Sequence, residues 1–275
     1  MKAVRYVADG EPRIGRLDDE TITDVGPSSP LGFVPSAEAW ASVEEASGPE
    51  HALGDVRVLP PVVPQKLIGI GLNYRDHAAE SELEIPEVPV VFAMFPSALV
   101  GPGEPIVVPR GETRPDYEAE VALILGSELR NASREEARAA IGGYTAINDV
   151  SGRRMQLETP LRQFTLGKSF DTFAPIGPCV VSADNVDLGS LGVRCTVSGE
   201  VMQDSSTKNL IFPAEELVSY CSMGTTLEAG TVVATGTPGG VGDSRTPPRY
   251  LEDGDVVEVW VEGVGTLRNP VQRER

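Results

Sequence analysis

From Lys66 onward the apolar runs are short and are cut every few residues by glycine or proline. That punctuation constrains the fold more than any other feature of the 275-residue chain. Short runs bounded by Gly and Pro suit strands joined by tight turns, not long helices. Strands are expected over 66–72, 89–95, 104–108, 117–125, 144–150, 231–235 and 256–261. A hairpin is expected over 193–201 around Ser198-Gly199-Glu200. Helices are few. Ser133 and Glu136 form a capping-box pattern with Gly142-Gly143 as the stop, and Pro213 opens a second helix that ends at Gly224.

Residues 1–61 differ from the rest of the chain. Short strands turn at Asp9-Gly10 and at Asp18-Asp19-Glu20, and an acidic, Ala-rich helical stretch comes next, near Ser36 to Ser47. Pro60, Pro61 and Pro64 interrupt any regular element. The expected organisation is a small N-terminal domain over 1–61 and a larger domain over 62–275, in an α+β, mostly β fold. A hydrophobic fraction of 40% is enough for a real core. The formal net charge of −18, spread along the chain, argues against nucleic acid and anionic membranes as partners. Cys179, Cys195 and Cys221 show no CxxC spacing, the N-terminus has no apolar leader core, and no apolar run reaches the length of a membrane span. A cytoplasmic protein with reduced thiols is expected.

The 117–125 run alternates. Tyr117, Ala119, Val121, Leu123 and Leu125 share one face, and Glu118, Glu120, Ala122 and Ile124 share the other. Two glutamates two residues apart on a strand place their Cβ atoms roughly 6.5–7 Å apart on one side. If buried, they repel, and a divalent cation between them removes that cost. If exposed, they simply line a solvent face, and alternation alone does not decide between these. Asp149 ends the next strand and can return beside them. An all-oxygen set favours magnesium, manganese or calcium over zinc. Of the two histidines, His51 lies in the acidic early region. His77 comes after a buried strand with Glu80 three residues on, the spacing at which a carboxylate can orient an imidazole as a general base. A histidine hydrogen-bonded at a loop edge is the plainer alternative.

Five segments occur together in one order: Gly71-Leu72-Asn73-Tyr74-Arg75-Asp76-His77-Ala78-Ala79-Glu80, Asp116-Tyr117-Glu118-Ala119-Glu120, Asn148-Asp149, Gly167-Lys168-Ser169-Phe170-Asp171-Thr172-Phe173, and Thr235-Gly236-Thr237-Pro238-Gly239-Gly240-Val241. Over residues 62–270 the chain thereby resembles the fumarylacetoacetate hydrolase superfamily. The resemblance implies a mixed β-sandwich or roll as the catalytic domain, usually in a homodimer. It implies Mg²⁺ or Mn²⁺ at Glu118, Glu120 and Asp149, and His77 with Glu80 as a base dyad on a lid. Lys168 would meet a substrate oxygen or enolate charge, Thr237 a substrate carboxylate, and Gln156 the water or substrate. Tyr74, Arg75 and residues 81–95 would shape the distal end of the substrate pocket. One position departs from the family pattern: Arg154 stands where an acidic residue is usual.

The expected activity is hydrolysis of a C–C bond in a small 2,4-diketo acid of the acylpyruvate type through a chelated enolate. The same residues serve an isomerase, tautomerase or decarboxylase of 2-oxo acids. A catalytically silent metal-binding protein is the third reading, against which the presence of both His77 and Glu80 speaks.

Overall fold

The computed structural model describes residues 1–184 and 186–275. It is mostly β. A long sheet runs in the order Glu50–Ala52, Thr21–Pro27, Glu11–Asp18, Lys2–Ala8, Ala174–Ser182, Ile141–Asn148, Ala119–Leu125, Val232–Ala234, Leu67–Gly71, Val90–Met94. Along this path the pairs are antiparallel, except Val232–Ala234 beside Leu67–Gly71, which is parallel. A second sheet runs Glu200–Ser206, Gly192–Val197, Val256–Val261, Gly265–Arg273, Ile106–Val108. Lys2–Ala8 pairs with Ala174–Ser182, so the N-terminal strands continue the long sheet.

The two sheets pack face to face. Val121, Leu123 and Leu125 from the long sheet share one core with Val193, Cys195, Val257, Val259 and Leu267 from the second. The opposite face of the long sheet is covered too. Ala122, Ile124, Ile147 and Ile176 form a second core with Phe33, Trp40, Val43, Phe92 and Met94. Each large apolar side chain so buried contributes about 1.5–3 kcal/mol. Every residue of the Ala119–Leu125 strand is therefore buried. The alternation read from the sequence separates two interiors, not an interior from solvent.

The hairpin forms between Gly192–Val197 and Glu200–Ser206, with Ser198 at φ 51° and Gly199 at φ 86°, the two left-handed residues of a type I′ turn. The capping box at Ser133 and Glu136 is present and starts the Arg134–Ala140 helix. The expected stop at Gly142-Gly143 is corrected: the helix ends one residue earlier, and both glycines lie inside the Ile141–Asn148 strand. The reason is close backbone approach. A Cβ on Gly142 would fall 2.0 Å from the Pro35 carbonyl oxygen, and the neighbouring Ala37–Glu44 helix is tied down there by Trp40 Nε1 donating to the Gly142 carbonyl at 2.9 Å. Pro213 precedes the Ala214–Cys221 helix as its N-cap and is not its first helical residue.

Candidate metal centre and active-site cavity

Strand pairing assembles the acidic cluster. Ala119 stands opposite Asn148 in the antiparallel ladder, so the residues just outside each strand, Glu118 and Asp149, become neighbours. The Asp149 N–H donates to the Glu118 carbonyl at 2.9 Å, and the Glu118 N–H donates to Asn148 Oδ1 at 3.0 Å. Glu118, Glu120 and Asp149 are all buried, and one carboxylate oxygen from each lies within 4.8 Å of the others. The solvent-face alternative for the two glutamates is thereby excluded, since Glu118 is 5% and Glu120 1% exposed.

Two buried cations serve this cluster. Lys168 Nζ donates to Glu118 Oε2 at 2.7 Å and to Asp149 Oδ2 at 2.6 Å. Its ammonium also stands over the Phe92 ring, 5.2 Å from the centroid. Arg153 pairs with Glu118 Oε1 at 2.7 Å and donates twice to Asp116 Oδ2, at 2.9 and 2.8 Å. Asp116 is fully buried and also accepts the backbone N–H groups of Tyr117, Gly242 and Asp243. The sequence does not single out Arg153 and Asp116 as site residues, although Asp116 opens one of the five ordered segments and Arg153 adjoins Arg154.

Four buried carboxylates (Asp116, Glu118, Glu120, Asp149) thus face two buried cations. A divalent ion would supply the two missing charges. Asp149 Oδ1 is buried with no hydrogen-bond partner among the described residues, a lone pair directed at nothing in the protein. These residues fit a hard divalent cation.

The protonation pattern is set by the same charges. Burial would raise Glu118, but Lys168 and Arg153 outweigh it and hold its carboxyl down at about 2. Burial, then the charges of Asp149 and Glu118, keep Glu120 well above the usual carboxylate range, although its Oε2 accepts the Gly236 N–H at 2.7 Å. Burial pushes Asp149 up to about 6 against the opposing pull of Lys168. Burial works to lower Lys168, and the Asp149 and Glu118 carboxylates overcome it, so the ammonium is held charged.

Glu120 and Asp149 are raised acids, so in the metal-free protein both favour folding at low pH; the Asp149 contribution is lost as pH rises through about 6, and the Glu120 contribution as pH rises well above the usual carboxylate range. Below about pH 6 metal binding must displace the Asp149 proton as well as that of Glu120. The rise in melting temperature on adding Mn²⁺ is therefore expected to be small near about pH 5 and clearly larger near about pH 7.5. An equal rise at both pH values in a thermal-shift series would contradict this assignment.

Above the cluster lies a cavity of about 560 Å³ lined by both polar and apolar groups. Glu118, Arg153, Gln156, Lys168 and Thr237 reach it, as do His77 and Glu80. The short Arg75–Glu80 helix carries the pair: His77 Nδ1 lies 2.8 Å from Glu80 Oε1. The other Glu80 oxygen accepts the Gly240 N–H at 2.6 Å. Asp76 fastens the start of the helix to Ser205 and Asn209.

The remaining residues singled out from the sequence divide. The Thr237 hydroxyl donates to the Ala119 carbonyl at 3.1 Å and accepts from Gln203 Nε2 at 2.8 Å, so it is already engaged. Gln156 Oε1 accepts from Arg153 Nη1 at 2.9 Å, which leaves its amide nitrogen for a ligand. Tyr74 is fully buried and Arg75 is exposed, and neither lines the cavity. Leu83 and Val90 represent the 81–95 stretch on its wall together with Ser81 and Phe92. Arg154 faces away from the cavity. Its side chain is 53% exposed, it reaches Glu158 at 3.8 Å, and it borders a separate hollow with Gly111 and Glu112.

A buried carboxylate cluster that could hold a divalent cation thus opens, on a double-sheet scaffold, into a cavity that also holds a histidine–glutamate pair. Residues 66–272 match the fumarylacetoacetate (FAA) hydrolase C-terminal family, and the chain belongs to it. It is 41% identical over 226 residues to the mitochondrial oxaloacetate tautomerase of Xenopus laevis, covering 81% of this chain and 71% of that protein. Among solved structures, it is similar to a 5-carboxymethyl-2-hydroxymuconate delta-isomerase from Mycobacterium smegmatis, with a TM-score of 0.83 and 32% identity over 100% of both chains. It is also similar to a fumarylacetoacetate hydrolase from Exiguobacterium antarcticum, with a TM-score of 0.84 and 36% identity over 100% of both chains. No helix among the described residues is long and apolar enough to cross a membrane.

Proposed function

We propose that this protein is a metal-dependent tautomerase of small 2-oxo acids, interconverting keto and enol forms through an enolate. The observation that carries the reading is the single cavity in which the His77–Glu80 pair faces the same space as Glu118, Lys168 and Arg153. A base and a fixed set of positive charges on one small acid are what enolisation requires, and the names of the tautomerase and isomerase relatives accord with it.

A divalent ion, Mg²⁺ or Mn²⁺, held by Glu118, Glu120 and Asp149 would supply Lewis-acid polarisation of the 2-oxo group. The protein's own groups do the rest. Glu80 occupies His77 Nδ1 and leaves Nε2 to take a proton from the carbon next to the carbonyl. The Lys168 ammonium and the Arg153 guanidinium stabilise the negative charge that then develops on oxygen. The proton returns to oxygen in the enol or to carbon in the keto form; the only σ bonds exchanged are C–H and O–H, while the π bond moves between C=O and C=C. Ile70, Leu72, Val90, Phe92 and Phe164 wall the cavity and limit access of water to the enolate.

Hydrolysis of a 2,4-diketo acid is the second reading, favoured by the same His77–Glu80 pair, which could activate a water, and by the likeness to the Exiguobacterium hydrolase. NMR in deuterated buffer with Mn²⁺ separates the two. With oxaloacetate, accelerated deuterium incorporation that stops on chelation, with acetylpyruvate left intact, is the expected result. Cleavage of acetylpyruvate to pyruvate would establish the hydrolase instead, and inertness toward both acids would end the enolisation reading.

A further inference from the structure

The cavity floor and part of its rim belong to one segment. Arg153 and Gln156 lie on the Arg153–Leu157 helix, and Lys168 directly succeeds the Phe164–Gly167 helix. The feet of this segment are locked together. Gln163 N donates to the Gln156 carbonyl at 3.0 Å. A Cβ on Gly167 would fall 2.9 Å from that of Gln156, a separation only glycine permits. Between the feet, the connection turns through a hydrogen bond from Arg162 N to the Thr159 carbonyl at 3.1 Å. Arg162 lines the cavity, yet it is exposed, and it adopts φ 50°, a left-handed conformation uncommon for a long side chain.

The charges lining the cavity are otherwise matched. His77 is paired with Glu80, Lys168 with Glu118 and Asp149, and Arg153 with Asp116 and Glu118. Asp243 is taken by Arg114 and Tyr250. Among the described residues, Arg162 is the lining cation for which no acidic partner is found. A small 2-oxo acid held by its carboxylate and oxo oxygens at the buried floor must direct its other end toward the rim. A planar guanidinium there, which donates to no other group among the described residues, suits a carboxylate.

We infer that Arg162 is a specificity-determining residue that receives the second carboxylate of a dicarboxylic 2-oxo acid. The inference rests on the 2-oxo acid reading and is tested so that the two can fail separately. Mn²⁺-loaded wild type and Arg162→Gln are compared on oxaloacetate and on its 4-methyl ester, which lacks the distal charge. The expected result is a KM for oxaloacetate raised about 10- to 100-fold, with kcat within about threefold and the ester unaffected. Arg162→Lys should recover part of the loss. Equal loss on both substrates, or no loss on the diacid, overturns the assignment.

If wild type turns over neither compound, the enolisation reading falls, and calorimetry of the Mn²⁺-loaded protein with oxalate and with 2-oxoglutarate still decides the role of Arg162. Weakening of 2-oxoglutarate alone by Arg162→Gln upholds it. Equal weakening of both anions, or no binding of either by wild type, overturns it.

Discussion

Asp116→Ala is expected to destabilise the protein by about 3–5 kcal/mol, read as a lowered midpoint in urea denaturation. The carboxylate is fully buried and satisfies five donors: two from Arg153, and the N–H groups of Tyr117, Gly242 and Asp243. Its removal leaves a buried guanidinium half-paired and three backbone donors without an acceptor, each an expensive state in a dry interior. A loss of this size is a large fraction of the total stability of an ordinary domain, about 5–15 kcal/mol. The double variant Asp116→Ala/Arg153→Met should be more stable than Asp116→Ala, because it removes the stranded charge as well. A single variant as stable as wild type would mean that water reaches Arg153 freely.

His77→Ala is expected to lower kcat for 2-oxo acid enolisation by about 10²- to 10⁴-fold, the usual worth of a positioned general base. The affinity for Mn²⁺ should stay within about twofold, since His77 is not among the residues that could hold the ion. Glu80→Gln should cost less, because the amide keeps an oxygen for the Gly240 N–H while losing the charge that orients the imidazole. Proton exchange rates in deuterated buffer and Mn²⁺ titration by calorimetry check both halves. If His77→Ala retained more than about a third of the wild-type kcat, the base would have to be sought elsewhere.

The sequence is most legible where one strand presents a pattern. The Ala119–Leu125 strand, its pairing with the strand ending at Asn148, and the gathering of Glu118, Glu120 and Asp149 come from spacing and topology. Whether the glutamates are buried is not legible. Alternation marks two different faces but not what covers each one: here Phe33, Trp40 and Val43 from the distant N-terminal region share a core with Ala122 and Ile124, while Lys168 and Arg153 meet Glu118 at the other end of the strand. The helix stop at Gly142-Gly143 misleads for a related reason, since those glycines answer to the Pro35 backbone and not to the local chain. Arg153 escapes notice in the sequence because a surface arginine is the default. The signal that could find it is the surplus of buried carboxylates, which needs cations nearby. Tyr74 adjoins the His77 segment and so suggests a substrate contact, but its ring turns inward from the N-cap of the Arg75–Glu80 helix and leaves the cavity wall to other residues.

The segment from Arg153 to Lys168 divides its work between buried feet and an exposed turn. The feet carry groups whose positions tolerate little change, because they are interlocked with the acidic cluster. The turn touches the same cavity while owing few contacts to the core, and exposed turns accept substitutions and insertions readily. Descendants of such a chain can therefore exchange the residues that greet the far end of a ligand without disturbing the chemistry at its near end. One scaffold can diversify in what it accepts by editing a handful of codons around position 162, and reshaping those codons is the economical route for an engineer who wants the same reaction on a different acid.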